Sequence, residues 1–302
     1  PNTIETIFNL GSVSKMFTAV GIAQLVQENK LSFTDTVGKY ITNYPNKDIK
    51  NKVSIHHLLT HTSGMGHYLA DKRKFLKQRE KLKTVKDFVE FFQNEQLRFD
   101  PGSKYEYSGN GFELLGRIIE VISGKDYFEY INQNIFQKSD MQNSGFFSPD
   151  PNSKIAVGYT NRADDGENIV IGERRENTWI NLIKGGAGGG AYSTCHDLLK
   201  FSKSLMSYKL INKENVNTLI SPKIEIGTKN NQTLYYGYGF QILDVGKGHL
   251  RVGHGGSYAG ASARLDMYPW LNTTVIVLSN YDEPSAHRVA NKAGELILRE
   301  II

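Results

Sequence analysis

The sequence predicts an α/β protein, an antiparallel sheet flanked by helices with a mostly helical insertion. Three observations predict it. A long apolar run at residues 16–26 opens on small polar residues and reads as a buried helix. Amphipathic segments with start and stop signals fill residues 54–141. From residue 235 the chain turns to β-branched and aromatic runs joined by short Gly- and Asn-containing turns, which implies antiparallel pairing. At 302 residues the chain can bury a large core. The expected organisation is one unit over 1–302, an α/β part at 1–40 and 185–302 around a mainly helical insertion at about 41–184.

Composition narrows the partners. The formal charge of +5, from 36 basic and 31 acidic residues, is mild, and much of the excess lies in residues 71–86. A nucleic-acid footprint needs a stronger patch and a binding motif, so nucleic acid is not expected as a partner. A single cysteine, Cys195, excludes an internal disulfide and a multi-cysteine metal site. No apolar run approaches a membrane span, and the opening Pro1-Asn2-Thr3 is polar, so neither an integral membrane segment nor a signal peptide is expected.

Taken in order, residues 4–10 alternate weakly and predict a short strand leading into the helix at Ser12. Residues 31–45, rich in Thr, Asp, Gly, Asn and Pro, predict an irregular connection. A short helix is expected over 54–60, a densely charged one over 71–83, and over 84–94 one with Val85, Phe88, Val89 and Phe92 on its inner side. Asp100-Pro101-Gly102 marks a turn, residues 112–122 a buried helix ended by Gly124, and residues 126–141 another helix. Residues 143–176 read as long loops, 196–207 and 212–220 as helices. Strands are expected at 235–245, 250–252, 263–268 and 274–279, and a closing helix at 286–302.

Several residues carry possible chemistry. Ser12 and Lys15 are three apart at a helix start, which sets an amine beside a hydroxyl near free backbone N–H groups. Burial that lowers the lysine pKa lets it take the serine proton. His57 and His61 have the spacing of metal ligands, but the glutamate of H-E-x-x-H and an obvious third ligand are missing; His56, His57, His61 and His67 are expected to pack and cap, with no metal. Tyr107 follows the turn at Pro101, where a phenol near a cation moves towards phenolate and relays protons. The glycines at 185–190 lack a P-loop ending and read as tightly bent backbone, with no bound cofactor implied. Gly253-His254-Gly255-Gly256-Ser257 lies between strand-like runs, where glycines admit a close ligand and a histidine can carry charge near neutral pH.

Together, Ser12-x-x-Lys15, Tyr107-Ser108 after Pro101-Gly102, and His254-Gly255-Gly256 resemble the serine penicillin-recognising enzymes in order and spacing. The chain is similar to the branch of class C β-lactamases, D-alanyl-D-alanine carboxypeptidases and family VIII esterases. The likeness runs over almost the whole chain and implies a β-lactamase/transpeptidase-like fold. It implies Ser12 as acylated nucleophile, Lys15 as its base partner, Tyr107 as proton relay, and His254, Gly255 and Gly256 as the strand lining the site. The backbone N–H groups of Ser12 and Ser257 would form the oxyanion hole. The implied activity is a metal-independent serine hydrolase acting through an acyl-enzyme on a D-amino-acid peptide, β-lactam or small ester, at the cell envelope in many relatives.

Three departures stand out. Gly109 takes the third place of a motif that commonly reads Tyr-x-Asn, with Asn110 one residue late as the candidate substrate contact. His254 stands where many relatives carry a lysine that attracts a carboxylate. Only eleven residues precede Ser12, so the family's N-terminal strands are expected to be missing and a sheet edge exposed. Gly109 supports an alternative, a binding or sensor protein that acylates without turnover.

Overall fold

The structure is a computed structural model and describes residues 1–148, 154–162, 172–177, 184–229 and 232–299. A two-residue strand, β1 (Phe8–Asn9), pairs antiparallel with β4 (Tyr192–Ser193) and delivers the chain to the site. Ser12 does not open the α-helix itself. A 3₁₀ turn (Gly11–Ser14) comes first, and α1 (Lys15–Gln27) starts at the lysine. Gly11 takes φ +49°, and Ser14 Oγ donates to Gly11 O and accepts from the distant Ala191 N, so Ser14 ties the turn down and Ser12 stays free of capping. Residues 15–25 of α1 are all buried, as its unbroken apolar character requires.

The connection at 31–45 holds a short helix, α2 (Val37–Tyr40), that the turn-forming composition concealed. Helices α3 (Lys47–Lys52), α4 (Ile55–Leu59), α5 (Lys72–Gln78) and α6 (Val85–Phe92) follow, α4 and α6 opened by capping boxes at Ser54 and Thr84. Val85, Phe88, Val89 and Phe92 are buried as the period-3.6 pattern requires. Helix α7 (Gly109–Ser123) starts three residues earlier than the apolar run, because Ser108 Oγ caps Gly111 N, and Gly124 ends it with φ +71°. Helix α8 (Tyr127–Ile131) runs into a π turn (Asn132–Phe136) instead of continuing to residue 141. Of the expected loops at 143–176, the described part holds two short paired strands, β2 (Tyr159–Thr160) and β3 (Arg175–Glu176); the remainder lies outside the described residues.

Helices α9 (Cys195–Met206) and α10 (Lys213–Ile220), capped by Thr194 and Asn212, lead into the sheet. That sheet has six antiparallel strands: β5 (Ile224–Lys229), β6 (Gln232–Tyr236), β7 (Gln241–Asp244), β8 (Leu250–Tyr258), β9 (Ala261–Tyr268) and β10 (Thr273–Ser279), each beside its neighbour in sequence. Strand β5 escaped sequence reading because its alternation carries only two isoleucines among polar residues. The expected strand at 235–245 is two strands, since Gly239 at φ +77° turns the chain between them. The Gly253–Ser257 segment lies inside β8 rather than between strands. Helix α11 (Ser285–Arg299) packs on β9 and β10.

Strand β9 is buried on both faces. Ala263, Leu265 and Met267 join the helical core, while Ser262 Oγ accepts from Ala286 N and Arg264 pairs with Asp266 at 2.7 Å beneath α11. Strand β10 ends the sheet, and no described strand pairs its outer edge. Strand β7 pairs β8 only from Leu250 to Gly253, so the described strand pairing of residues 254–257 of β8 is with β9 alone. That stretch runs past the 3₁₀ turn that carries Ser12.

Candidate active site

Lys15 is fully buried, and its Nζ donates to Ser12 Oγ at 3.2 Å and to Gly188 O. Burial lowers its pKa to about 7, against the opposing pull of Glu113. A substantial neutral fraction therefore exists near pH 7. Neutral Lys15 can donate to the Gly188 carbonyl while turning its lone pair to the Ser12 hydroxyl. Tyr107 hydrogen-bonds Ser12, and its ring centroid lies 4.8 Å from Lys15 Nζ. The expected drift towards phenolate does not occur. Burial is the larger effect and raises the Tyr107 pKa, so Tyr107 stays a neutral phenol, donor and acceptor at once.

The glycine run lines the same cavity as Tyr107. Lys15 and Thr18, three apart on α1, hold the carbonyls of Gly188 and Ala187, and Glu113 of α7 accepts from the N–H groups of Ala187 and Gly188 at 2.9 Å each. A Cβ on Gly186 would fall 2.5 Å from the Glu113 carboxylate, which is why the bend needs glycine there. Sequence reading missed Glu113. The signal was a charge among the apolar residues of α7.

Gly256 of β8 touches the turn backbone to backbone: a Cβ there would lie 1.9 Å from Leu10 O and 3.0 Å from Ser12 N. A Cβ on Gly11 would lie 2.7 Å from Ser257 N. The two N–H groups expected to face an oxyanion thus sit on neighbouring backbone. Ser12, Tyr107 and Ser257 line both a cavity of about 250 Å³, walled by the glycine run and His67, and one of about 470 Å³, walled by His254, Gly255, Gly256 and Arg264. His254 is buried, its Nε2 2.8 Å from Tyr236 OH, and burial with the Lys15 charge lowers its pKa to about 3. It is neutral at pH 7. The expected partial charge is absent, for desolvation outweighs any gain from ionising.

A family model described as Beta-lactamase matches residues 1–299. The chain belongs to the beta-lactamase family. It is 30% identical to Penicillin-binding protein 4* of Bacillus subtilis (strain 168), over 99% of this chain and 66% of that protein. Esterase EstB of Burkholderia gladioli is 29% identical over 53% of this chain and 43% of its own length. A solved penicillin binding protein from Bacillus halodurans superposes with a TM-score of 0.84 at 32% identity, over 98% of this chain and 87% of that one. The chain spans about two thirds of the length of the curated relatives it matches first, 66% and 68%.

Within this beta-lactamase-family fold, Ser12, Tyr107, His254, Gly255, Gly256 and Ser257 gather on the cavity walls with Lys15 behind Ser12. Asn110 does not join them. It is buried and donates Nδ2–H to Glu95 at 3.1 Å, one step round α7 from Gly109, which faces the His67 ring. The four histidines disperse: His56 Nδ1 meets Tyr238 OH, while the Nδ1 atoms of His57, His61 and His67 accept from Ser54, Ser108 and Leu69 N–H. Among the described residues no group of three His, Cys, Asp or Glu is placed to hold a metal, and no helix is long and apolar enough to cross a membrane.

Proposed function

We propose that this chain is a serine hydrolase that forms an acyl-enzyme on Ser12 with amide or ester substrates, a D-amino-acid peptide, β-lactam or small ester. The observation that carries the reading is the 3.2 Å contact of Ser12 Oγ with a buried lysine whose pKa falls to about 7. In this reading neutral Lys15 takes the Ser12 proton as Oγ attacks the carbonyl carbon, and the Ser12 and Ser257 N–H groups hold the oxyanion. The proton then passes through the Lys15–Tyr107 network to the leaving amine or alcohol, and the reverse sequence with water releases the acid. Lys15 and Tyr107 act as a linked pair. Gly255, Gly256 and His254 line the strand beside which the acyl donor lies. Residues 1–40 and 185–302 would form one catalytic unit with the insertion at 41–184, and the names of the penicillin-binding relatives support a place at the cell envelope.

The position of Asn110, bonded to Glu95, favours a second reading in which the protein is acylated without efficient turnover. One experiment tests both. Wild type and Ser12→Ala are mixed with benzylpenicillin and, separately, a chromogenic short-chain ester, and intact mass is followed in time. A transient adduct on wild type alone supports the hydrolase, a permanent one the binding protein, and labelling of Ser12→Ala refutes both.

A further inference from the structure

Glu113 is a carboxylate with no exposure at all, in the second turn of the core helix α7, and its two described hydrogen bonds both come from backbone N–H groups of the glycine run. A buried carboxylate is costly unless its partners hold it. Its two oxygens divide the work: Oε2 accepts from Ala187 and Oε1 from Gly188. The carbonyl of Gly188 in turn accepts from Lys15 Nζ, so a single residue, Gly188, bridges carboxylate and amine. Thr18 grips the preceding carbonyl, that of Ala187.

We propose that Glu113 is the positioning residue of Lys15: it fixes the Ala187–Gly188 backbone that aims the amine at Ser12, and its charge sets the pH at which that amine becomes a base. The proposal rests on the acyl-enzyme reading for its consequence and on hydrogen bonding for its geometry. Other groups facing Lys15 are Tyr107 from the loop before α7, His61 from the turn after α4, His67 beyond it and His254 from β8. The three histidines are held neutral by burial, and Tyr107 is a neutral phenol, which leaves Glu113 as the acidic group acting on Lys15. Glu113 itself faces Glu120 on its own helix and the phenols of Tyr68 and Tyr127, and burial raises its pKa to about 7. Carboxylate and amine therefore titrate as a linked pair.

Glu113→Gln keeps the shape and removes the charge, and its amide accepts from one of the two N–H groups instead of both. Acylation of wild type and variant by 4-nitrophenyl acetate is followed from pH 5 to 10, alongside thermal melting. Without the carboxylate, Lys15 loses its proton more readily, so the rising limb moves to lower pH by about one unit. Glu113→Asp retains the charge and keeps the limb near wild type while slowing acylation. A variant that melts lower but has an unmoved limb overturns the proposal, since a merely structural carboxylate would do that. The ¹³Cε resonance of Lys15 gives the same midpoint without any substrate: if wild type forms no adduct, the acyl-enzyme reading fails, and an unmoved or moved Lys15 midpoint still decides for or against Glu113. Should Glu113→Gln not fold, Gly188→Ala probes the same unit, because its Cβ would lie 3.0 Å from Glu113 Oε1. Acylation about tenfold slower is expected from a displaced amine, and an unchanged rate refutes the proposal.

Discussion

The His67 imidazole fills the space into which a side chain at Gly109 would extend: a Cβ on Gly109 would lie 2.7 Å from His67 Nε2 and 2.8 Å from its Cε1. The ring lines the same cavity as Ser12 and Tyr107. Because Nδ1 accepts from Leu69 N–H and burial lowers the pKa to about 3, His67 is neutral with the proton on Nε2. The glycine and the histidine are one fitted pair.

Restoring an asparagine is therefore harmful by itself. Gly109→Asn should lower stability by about 1–3 kcal/mol through overpacking against the ring, and His67→Ala in the same chain should recover most of that loss. Thermal unfolding of the two single variants and the double variant measures the coupling. Additive effects would remove the claim that the two residues share one volume.

Acylation should rise with pH through a midpoint near 7, because the lysine must be neutral to take the serine proton and burial has brought its pKa to about 7. The rate of adduct formation between pH 5 and 9 reads this directly. A rising limb centred near 10 would place an unperturbed lysine at the site and contradict the burial.

Acid should destabilise the fold early. His67 and His254 fall to about 3 and His61 lies well below its usual value, all by burial. Below pH 6.5 the unfolded chain binds protons at these positions that the folded chain refuses. Stability is therefore lost as pH falls from 6.5 towards 3, at up to about 1.4 kcal/mol per pH unit for each histidine. Denaturant midpoints at pH 7 and pH 5 check the slope, and His67→Phe should flatten it by roughly one histidine's share.

Gly256 should tolerate nothing larger. A Cβ there would lie 1.9 Å from Leu10 O, a contact with backbone that no rotamer relieves. Gly256→Ala should push β8 off the 3₁₀ turn, slow acylation at least about a hundredfold and lower the melting temperature. Gly255→Ala meets the His287 ring and the end of the Arg264 side chain instead, which can shift, and should cost much less.

How much of this was written locally varies by element. Helices α4, α6, α9 and α10 were legible because each carries its own capping residue and apolar face, both readable over a few positions. Ser12 and Lys15 were legible for the same reason, being one turn apart. Strand β5 was not, although its pairing with β6 is a local hairpin, since two isoleucines among polar residues leave only a faint alternation. The split of residues 235–245 turned on Gly239, whose positive φ a glycine permits but does not require.

The site divides in the same way. Residue identity and spacing determined that a hydroxyl and an amine share a helix start, that a tyrosine follows a turn, and that glycines flank a histidine on a strand. Tertiary structure decided their states. Desolvation made Lys15 a base, kept Tyr107 a phenol and His254 neutral, and it depends on what packs around each group rather than on its neighbours in sequence. The helical rotation from Gly109 to Asn110, about 100° per residue, sent the amide to Glu95 and left the cavity to His67, while the meeting of α1 and α7 set Glu113 behind Gly188. Those placements arise only when distant segments close on one another, so no window of sequence contains them.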